Sequence, residues 1–547
     1  MLYSLIPLLV ASLGVFVTPH FIRNRTSYPP SIKLISVFAS FLALLLVLLF
    51  PTDNTFPHLF REDSLSFIFS LLASLIGFIT IIYSTWYVEE NHREFYSAML
   101  LFIASMIGLV ISNNILLLVL CWEVTTAVSF ILVRMKGTEN AAKAANTVWV
   151  INQLGGIAML VGAAYLYAGG IHTLDSLFIA GNLIGTSLFL FAAIAKSAVF
   201  PFHPWLPSAM EAYSPVSALL HSAAMVMAGM YLLIRMTPLL LFFAELRGIV
   251  LLLGLLTILA SSTKAFLEND LKRVLAYSTL TNIGMIATCI AFASPFSIAA
   301  ALFHIISHAL FKASLFLEAG VFEHSLGTRE IDKLGGVVGK LPITTFFFSL
   351  SALSAMGVPA TLGFTSKFAM YESTLPFISL FLLFGTVLAA TYYACILGHL
   401  LIKQKSKKLH EEARSITAIA PLSLGSVLLA VYPFPIMNLC SKAVNELLNT
   451  SFTFPTLVNP PMTYLSVLLT IGLALAVRGG RATLPFRSGE PLRGKLPTPS
   501  LQIYDVRKTS EKIYSLIDVE VWFRMMGPAG ELIYNMLSKI RERVEVR

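Results

Sequence analysis

Charge is what this 547-residue chain has least of. Asp, Glu, Lys and Arg make up 12 % of it and hydrophobic residues 56 %, whereas a soluble domain holds roughly 25 % charged residues. With a mean hydropathy of +0.79, an ordinary soluble enzyme is excluded. Cysteine is also scarce. Cys121, Cys289, Cys395 and Cys440 lie far apart with no CxxC or Cys/His spacing, so neither an Fe–S cluster nor a zinc site is expected, and the thiols read as small buried hydrophobes. The ten-residue alternation of a membrane β-barrel is missing. So are phosphate loops, metal motifs and nucleophile arrangements. No covalent or redox chemistry, no cofactor and no nucleic-acid partner is expected of this chain.

What is present is a series of apolar runs, each near the ~20 residues that cross a bilayer core. They predict an all-α polytopic membrane protein with fifteen spans, at 1–17, 32–50, 64–88, 95–112, 114–133, 145–168, 182–200, 216–235, 248–266, 272–294, 297–321, 342–371 (interrupted), 376–401, 414–434 and 461–477. No basic residue precedes the first run, so it reads as a retained span and not as a secretory signal. Loops after odd-numbered spans hold 17 Lys and Arg, and loops after even-numbered spans hold 4. By the positive-inside rule the N-terminus is outside and the C-terminus cytoplasmic in a cell membrane. From Arg478 onward the chain turns polar, with 13 basic and 8 acidic residues. Residues 479–500 read as a linker. Residues 507–524 and 528–543 read as amphipathic helices on the membrane surface or on a partner subunit.

Four lysines, Lys196, Lys264, Lys312 and Lys367, fall inside or at the end of apolar runs, and Glu123 joins them. A charge at mid-membrane costs about 3 kcal/mol even on insertion scales, so such residues pair or face a wet cavity. Lys264 sits at a span end, four residues before Glu268, and also reads as a surface pair. Lys196 precedes "SAVFPFHPWLP", with Pro201 and Pro204. Lys367 follows "GVPATLGFTS", with Pro359 and Gly363. Such breaks free backbone carbonyls, and in corresponding positions of two halves they point to inverted repeats around an ion site. The expected organisation is N-terminal spans 1–94, a first five-helix repeat 95–235, a second 246–401, further spans 402–477 and a tail 478–547. His304, His308 and Lys312 in "FHIISHALFKASLFL" recur every fourth residue and share one helix face. With His221, and with Tyr277, Ser278, Thr279, Thr281 and Asn282 in "AYSTLTNIG", they predict a hydrated proton path.

The stretches "AKSAVFPFHPWLPSAMEAYSPVSALLHSAAMVMAGMYLL", "NDLKRVLAYSTLTNIGM", "FHIISHALFKASLFLEAG" and "GVPATLGFTSKFAMYES" resemble the antiporter-like subunits of complex I and of membrane-bound hydrogenases. They are most similar to the N-terminal part of the large subunit of Mrp-type sodium/proton antiporters, over about residues 60–400. The resemblance implies a fourteen-helix core with two inverted repeats. It implies Glu123 paired with Lys196 in a first half-channel, His221 as relay, Lys312 with His304 and His308 at the centre, and Lys367 in a second half-channel, with Lys264, Tyr277 and Ser278 as further relays. It also implies antiporter-like and small membrane subunits as partners, with lipid and an Fe–S or NiFe-type redox arm. Three departures stand out. Met227 occupies the place of a usual lysine in "MVMAG", and the chain lacks the large subunit's additional spans, which favours a related subunit of a redox-driven complex. Phe368 and not an acid follows Lys367, and the nearest acid is Glu372. The expected function is ion translocation in a multisubunit complex. The alternative is an antiporter-like spacer with an inactive channel. A separate solute transporter fits poorly, because the charges spread over five spans.

Overall fold

The computed structural model describes residues 1–17, 30–50, 56–402 and 408–455, all within one of the chain's two compact units, Met1–Ala482. Among the described residues, eleven helices are long and apolar enough to cross a membrane, and three shorter ones, Leu2–Val17, Leu183–Lys196 and Pro342–Met356, fill the remaining expected positions. The expected fifteenth span, the linker and the amphipathic tail helices lie outside the described residues.

The helices run α1 (Leu5–Val17), α2 (Pro30–Leu49), α3 (Ser64–Tyr87), α4 (His92–Ile111), α5 (Ile115–Arg134), α6 (Glu139–Ala168), α7 (Leu174–Ala180) and α8 (Leu183–Lys196). There follow the short α9 (Trp205–Ser208), α10 (Ser214–Ser222), α11 (Met225–Arg235), α12 (Thr237–Phe242), α13 (Ala244–Leu267), α14 (Leu271–Phe292) and α15 (Pro295–Leu326). The described part closes with α16 (Val337–Lys340), α17 (Pro342–Met356), α18 (Leu362–Glu372), α19 (Pro376–Leu400), α20 (Ala413–Val431) and α21 (Phe434–Leu448). Many helix starts are dictated locally. Asp63, Asn114, Thr138, Asn182, Asp270 and Thr361 each accept a backbone N–H of the first turn, which satisfies donors that a helix start leaves orphaned.

Alternation of the loops between two ends of the bundle is visible in what ties them together. Phe60, after α2, bridges to Ser112, after α4, and Asn114 bridges to Thr173. At the other end Asp270 bridges to Glu330, Lys136 pairs with Glu323 at 3.0 Å, and Arg329 pairs with Glu211 at 3.2 Å and Asp270 at 3.0 Å. Burial raises the Asp270 carboxyl, and Arg329 works against that rise. Among the described residues, these ties gather the loops after the second, fourth and sixth spans at one end and those after the fifth, seventh, ninth and eleventh at the other.

Three points differ from the sequence reading. The eighth span is broken between α10 and α11 at Ala223–Ala224, where no Pro or Gly marks it. Arg235 and Lys272, counted as loop residues, are fully buried. The Arg235 guanidinium pairs with Asp63 and meets the Tyr231 hydroxyl at 3.0 Å. The Lys272 amine donates to Ala212 O at 2.7 Å and lies 3.7 Å from Glu323. Each charge lies within a turn of a helix end, where a buried acceptor replaces water. Finally, α21 follows α20 as a separate helix. Its face of Met437, Cys440, Val444 and Leu447 is buried, and its Glu446 accepts from the backbone N–H and hydroxyl of Ser64 at the start of α3.

Candidate functional site

The long α15 is unbroken for 32 residues and packs on α10, α14, α17, α18, α20 and α21. His304, His308 and Lys312 on it are fully buried. The Lys312 amine donates to Leu275 O at 2.9 Å and to the Tyr393 hydroxyl at 3.1 Å. That hydroxyl lies 3.1 Å from Ser278 Oγ. The Ser278 carbonyl accepts from Asn282 Nδ2 at 2.6 Å. Asn282 Oδ1 then meets His304 Nε2 at 2.9 Å, and His304 Nδ1 meets Ser366 Oγ at 2.9 Å. Two hydrogen-bonded runs, Lys312–Tyr393–Ser278 Oγ and Ser278 O–Asn282–His304–Ser366, thus meet at Ser278 and lead across four helices from Lys312 to the residue before Lys367.

The directions along this line are set by one fixed group. A carbonyl only accepts, so Ser278 orients the Asn282 amide and leaves Oδ1 facing His304. Nε2 must then carry the hydrogen. Neutral His304 accepts from Ser366 at Nδ1. When Nδ1 gains a proton, the Ser366 hydroxyl turns to Gly363 O, 3.2 Å away.

Lys367 is buried beside the break in the twelfth span. Its amine donates to Ala355 O at 2.6 Å, one of the carbonyls left without a partner where α17 ends. Pro359 lies in the gap between α17 and α18, and Gly363 opens the second half. A Cβ on Gly363 would stand 1.8 Å from Ser354 O, so only glycine permits this approach.

In the first half, Lys196 closes α8, before Pro201 and Pro204, the N-cap of α9. Its buried amine donates to Trp122 O at 2.7 Å, Thr125 Oγ1 at 2.6 Å and Thr126 Oγ1 at 3.0 Å, and stands 4.2 Å from the Trp122 ring centroid. It thus grips the α5 turn that carries Glu123, but the two charges form no ion pair within 4 Å among the described residues. Glu123 accepts from Gln153 at 2.8 Å and rests on Gly156, whose Cβ would come within 2.1 Å of it. His221 lies between the halves, its ring 4.5 Å from that of Phe316 on α15. Both ring nitrogens of His221 and of His308 lack a protein partner among the described residues. The hydrogen-bonded line does not reach from Lys312 to Lys196. Lys264 is half-buried near the end of α13, and Tyr277 offers its carbonyl to Thr281, off the line that Ser278 joins.

Tyr393, Ser366 and Glu318 are not among the residues that the sequence analysis singles out. Tyr393 and Ser366 are neutral, and only the rotational phase of α18 and α19 shows what they face. Glu318, fully buried on α15, is an acid in an apolar run, the same signal that marks Glu123.

Residues 112–392 match the family described as NADH:quinone oxidoreductase/Mrp antiporter, TM. The chain is 40 % identical over 345 residues to the A subunit of a Na(+)/H(+) antiporter of Alkalihalophilus pseudofirmus, an alignment covering 57 % of this chain and 42 % of that one. It is 40 % identical over 319 residues to the A/B subunit of a probable K(+)/H(+) antiporter of Rhizobium meliloti, covering 56 % and 32 %. The chain thus aligns with less than half the length of these relatives. The Mrp complex of Dietzia sp. superposes with a TM-score of 0.75 at 26 % identity, over 94 % of this chain and 60 % of the other. An archaeal membrane-bound sulfane sulfur reductase shares the fold, with a TM-score of 0.74 at 22 % identity over 81 % and 96 %. On the family match over half its length and on the superposed fold, this chain is a member of the NADH:quinone oxidoreductase/Mrp antiporter transmembrane family.

Proposed function

We propose that this chain is an ion-translocating, antiporter-like subunit of a multisubunit membrane complex, moving protons laterally between Lys312 and Lys367. The observation that carries the proposal is the row of buried polar groups between the two lysines, Tyr393, Ser278, Asn282, His304 and Ser366; the Ser278 carbonyl and the Asn282 amide orient His304 but relay no proton, so transfer from the Ser278 hydroxyl to His304 runs through water beside them. A neutral lysine amine still donates to a carbonyl and accepts from a hydroxyl. Lys312 therefore keeps partners in both protonation states: Leu275 O accepts from it throughout, while the Tyr393 hydroxyl reverses direction. His304 has the same property at Nδ1. The unpartnered nitrogens of His221 and His308 call for water, because a buried polar group without a partner costs about 1–3 kcal/mol. Water beside them would extend the path toward Lys196, whose charge Glu123 tunes from the same helix turn.

The two broken spans, ending at Lys196 and opening before Lys367, support two inverted repeats, 95–235 and 246–401. The basic-loop end faces the cytoplasm, which puts the N-terminus outside. Other antiporter-like and small membrane subunits, together with lipid, cover the apolar flanks, and a redox arm or a second cation gradient supplies the driving force. Replacing Lys312 or Lys367 by Ala should abolish proton translocation by the native complex in proteoliposomes while leaving its subunit composition unchanged. Undiminished pumping in both variants contradicts the proposal. A second reading, an antiporter-like spacer with an inactive channel, is favoured by the gap between Lys196 and Lys312 and by buried Met227. Unchanged transport on replacing each of Glu123, Lys196, Lys312 and Lys367 would select it.

A further inference from the structure

Glu318 takes no part in the polar row between Lys312 and Lys367, yet it is fully buried in the same helix. Helical rise places it about 9 Å further along α15 than Lys312. Its Oε1 lies 2.8 Å from Ser314 Oγ on α15, 2.9 Å from Ser423 Oγ on α20 and 3.3 Å from Ser351 Oγ on α17. The hydroxyls also meet one another, Ser314 with Ser423 at 2.6 Å and Ser351 with Ser423 at 3.0 Å. Three hydroxyl protons can bridge only three of these five contacts. If all three point at a carboxylate, both Ser–Ser contacts, including the shortest of the five, set lone pair against lone pair. A fourth proton, on Oε1, removes the conflict. Oε1 then donates to Ser423, Ser423 to Ser314, Ser314 back to Oε1, and Ser351 to Ser423. Every contact is then bridged except the longest, at 3.3 Å.

No Lys, Arg or His from any helix comes within 4 Å of this carboxyl among the described residues, and a buried carboxylate without a counter-charge is costly. The groups that face Glu318 from other helices are Tyr83 on α3, whose hydroxyl donates to Leu317 O at 2.9 Å, and Tyr393 on α19. The nearest ionisable residues on α15 itself are Lys312 and Glu323, and α17 has none. The serine cluster bears directly on the second half-site. One helical turn beyond Ser351, α17 presents Ala355 O to the Lys367 amine at 2.6 Å. We propose that Glu318 is a neutral, proton-holding acid that latches α17 to α15 and α20 and so positions the carbonyl on which Lys367 is seated. Without that proton, lone pairs face each other across the Ser423 contacts, and α17 is no longer held at this point. The proton is retained and not passed on, so Glu318 is a positioning residue outside the transfer path. The inference rests on the proposed role of Lys367 and adds what holds its site in place.

The test uses the native complex carrying the native sequence, Glu318→Gln, Glu318→Ala or Ser351→Ala, each at verified subunit composition. Infrared difference spectra at neutral pH, native minus Glu318→Gln, read the proton. The expected result is one carbonyl stretch of an un-ionised carboxyl; carboxylate bands in its place overturn the inference. Proton translocation in proteoliposomes reads the latch. Glu318→Gln is a neutral isostere that still donates to Ser423, so it should keep the native rate, whereas Glu318→Ala should fall about tenfold, the equivalent of one lost hydrogen bond. Native rates in both Glu318 variants, or an equal loss in both, overturn the latch. Ser351→Ala removes only the tie to α17 and should also slow translocation. It reads the latch if Glu318→Ala does not assemble, and a native rate for it overturns the inference. The infrared band does not depend on translocation, so a failed role for Lys367 is told apart from a failed assignment of Glu318.

Discussion

Tyr393 shows how much one neutral side chain decides at this site. Its hydroxyl alone connects the Lys312 amine to Ser278, so Tyr393→Phe removes the link while preserving the ring that packs between α14 and α15. A positioned proton relay is worth on the order of a hundredfold in rate. Translocation by a complex carrying Tyr393→Phe should fall by about that factor with unchanged assembly, and a native rate would remove Tyr393 from the path. Lys196, Lys312 and Lys367 stand out in the sequence because charge in an apolar run is costly whatever surrounds it. Tyr393 and Ser366 do not, because a hydroxyl is common in membrane helices and acquires meaning only from what it faces. Glu318 belongs with the lysines by that logic.

Among the elements, the broken helices carry the most chemistry. The interruption of the twelfth span depends on Gly363 meeting Ser354 O, and it gives Lys367 a free carbonyl to bind. Gly363→Ala forces the two half-helices apart, so it should lower the thermal unfolding midpoint and impair translocation together. An unaltered midpoint would show that the break tolerates a side chain. This interruption was legible from Pro359 and Gly363. The one between α10 and α11 was not, since Ala223 and Ala224 are good helix formers and the distortion comes from tertiary packing. A second element-level feature is the pair joining α3 to α11. Burial opposes the charge of Asp63, but Arg235, together with the Ser66 N–H and Arg61, holds its carboxyl well below the usual range. A depressed carboxyl pKa stabilises the fold above the unfolded value near ~3.9, and that stabilisation is lost as pH falls through the lower, folded value. Asp63→Asn should therefore cost about 3 kcal/mol at neutral pH, as for breaking a buried pair, and should flatten the acid limb of the stability profile. An acid limb identical to that of the native chain would show that Asp63 is not its source.

At the scale of the whole molecule, the order of the first fourteen expected spans followed from run length, and the alternation of their loops from counting basic residues. What the sequence hid is which helices touch. Contacts such as Lys136 with Glu323, or Ser314 with Ser423, join residues more than a hundred positions apart in the chain, and nothing in local spacing announces them. If the basic-loop end is cytoplasmic, a single cysteine replacing Lys333, in the loop after α15, should react with a membrane-impermeant thiol reagent only in inside-out vesicles. Labelling in right-side-out vesicles would reverse the orientation.

The central claim is that protons pass along the buried line between Lys312 and Lys367, and His304 is its midpoint, bonded on both sides. The most direct test is the proton translocation rate of the native complex carrying His304→Ala, in proteoliposomes of verified subunit composition. The account predicts loss of at least about a hundredfold; a rate equal to that of the unmodified complex would contradict it.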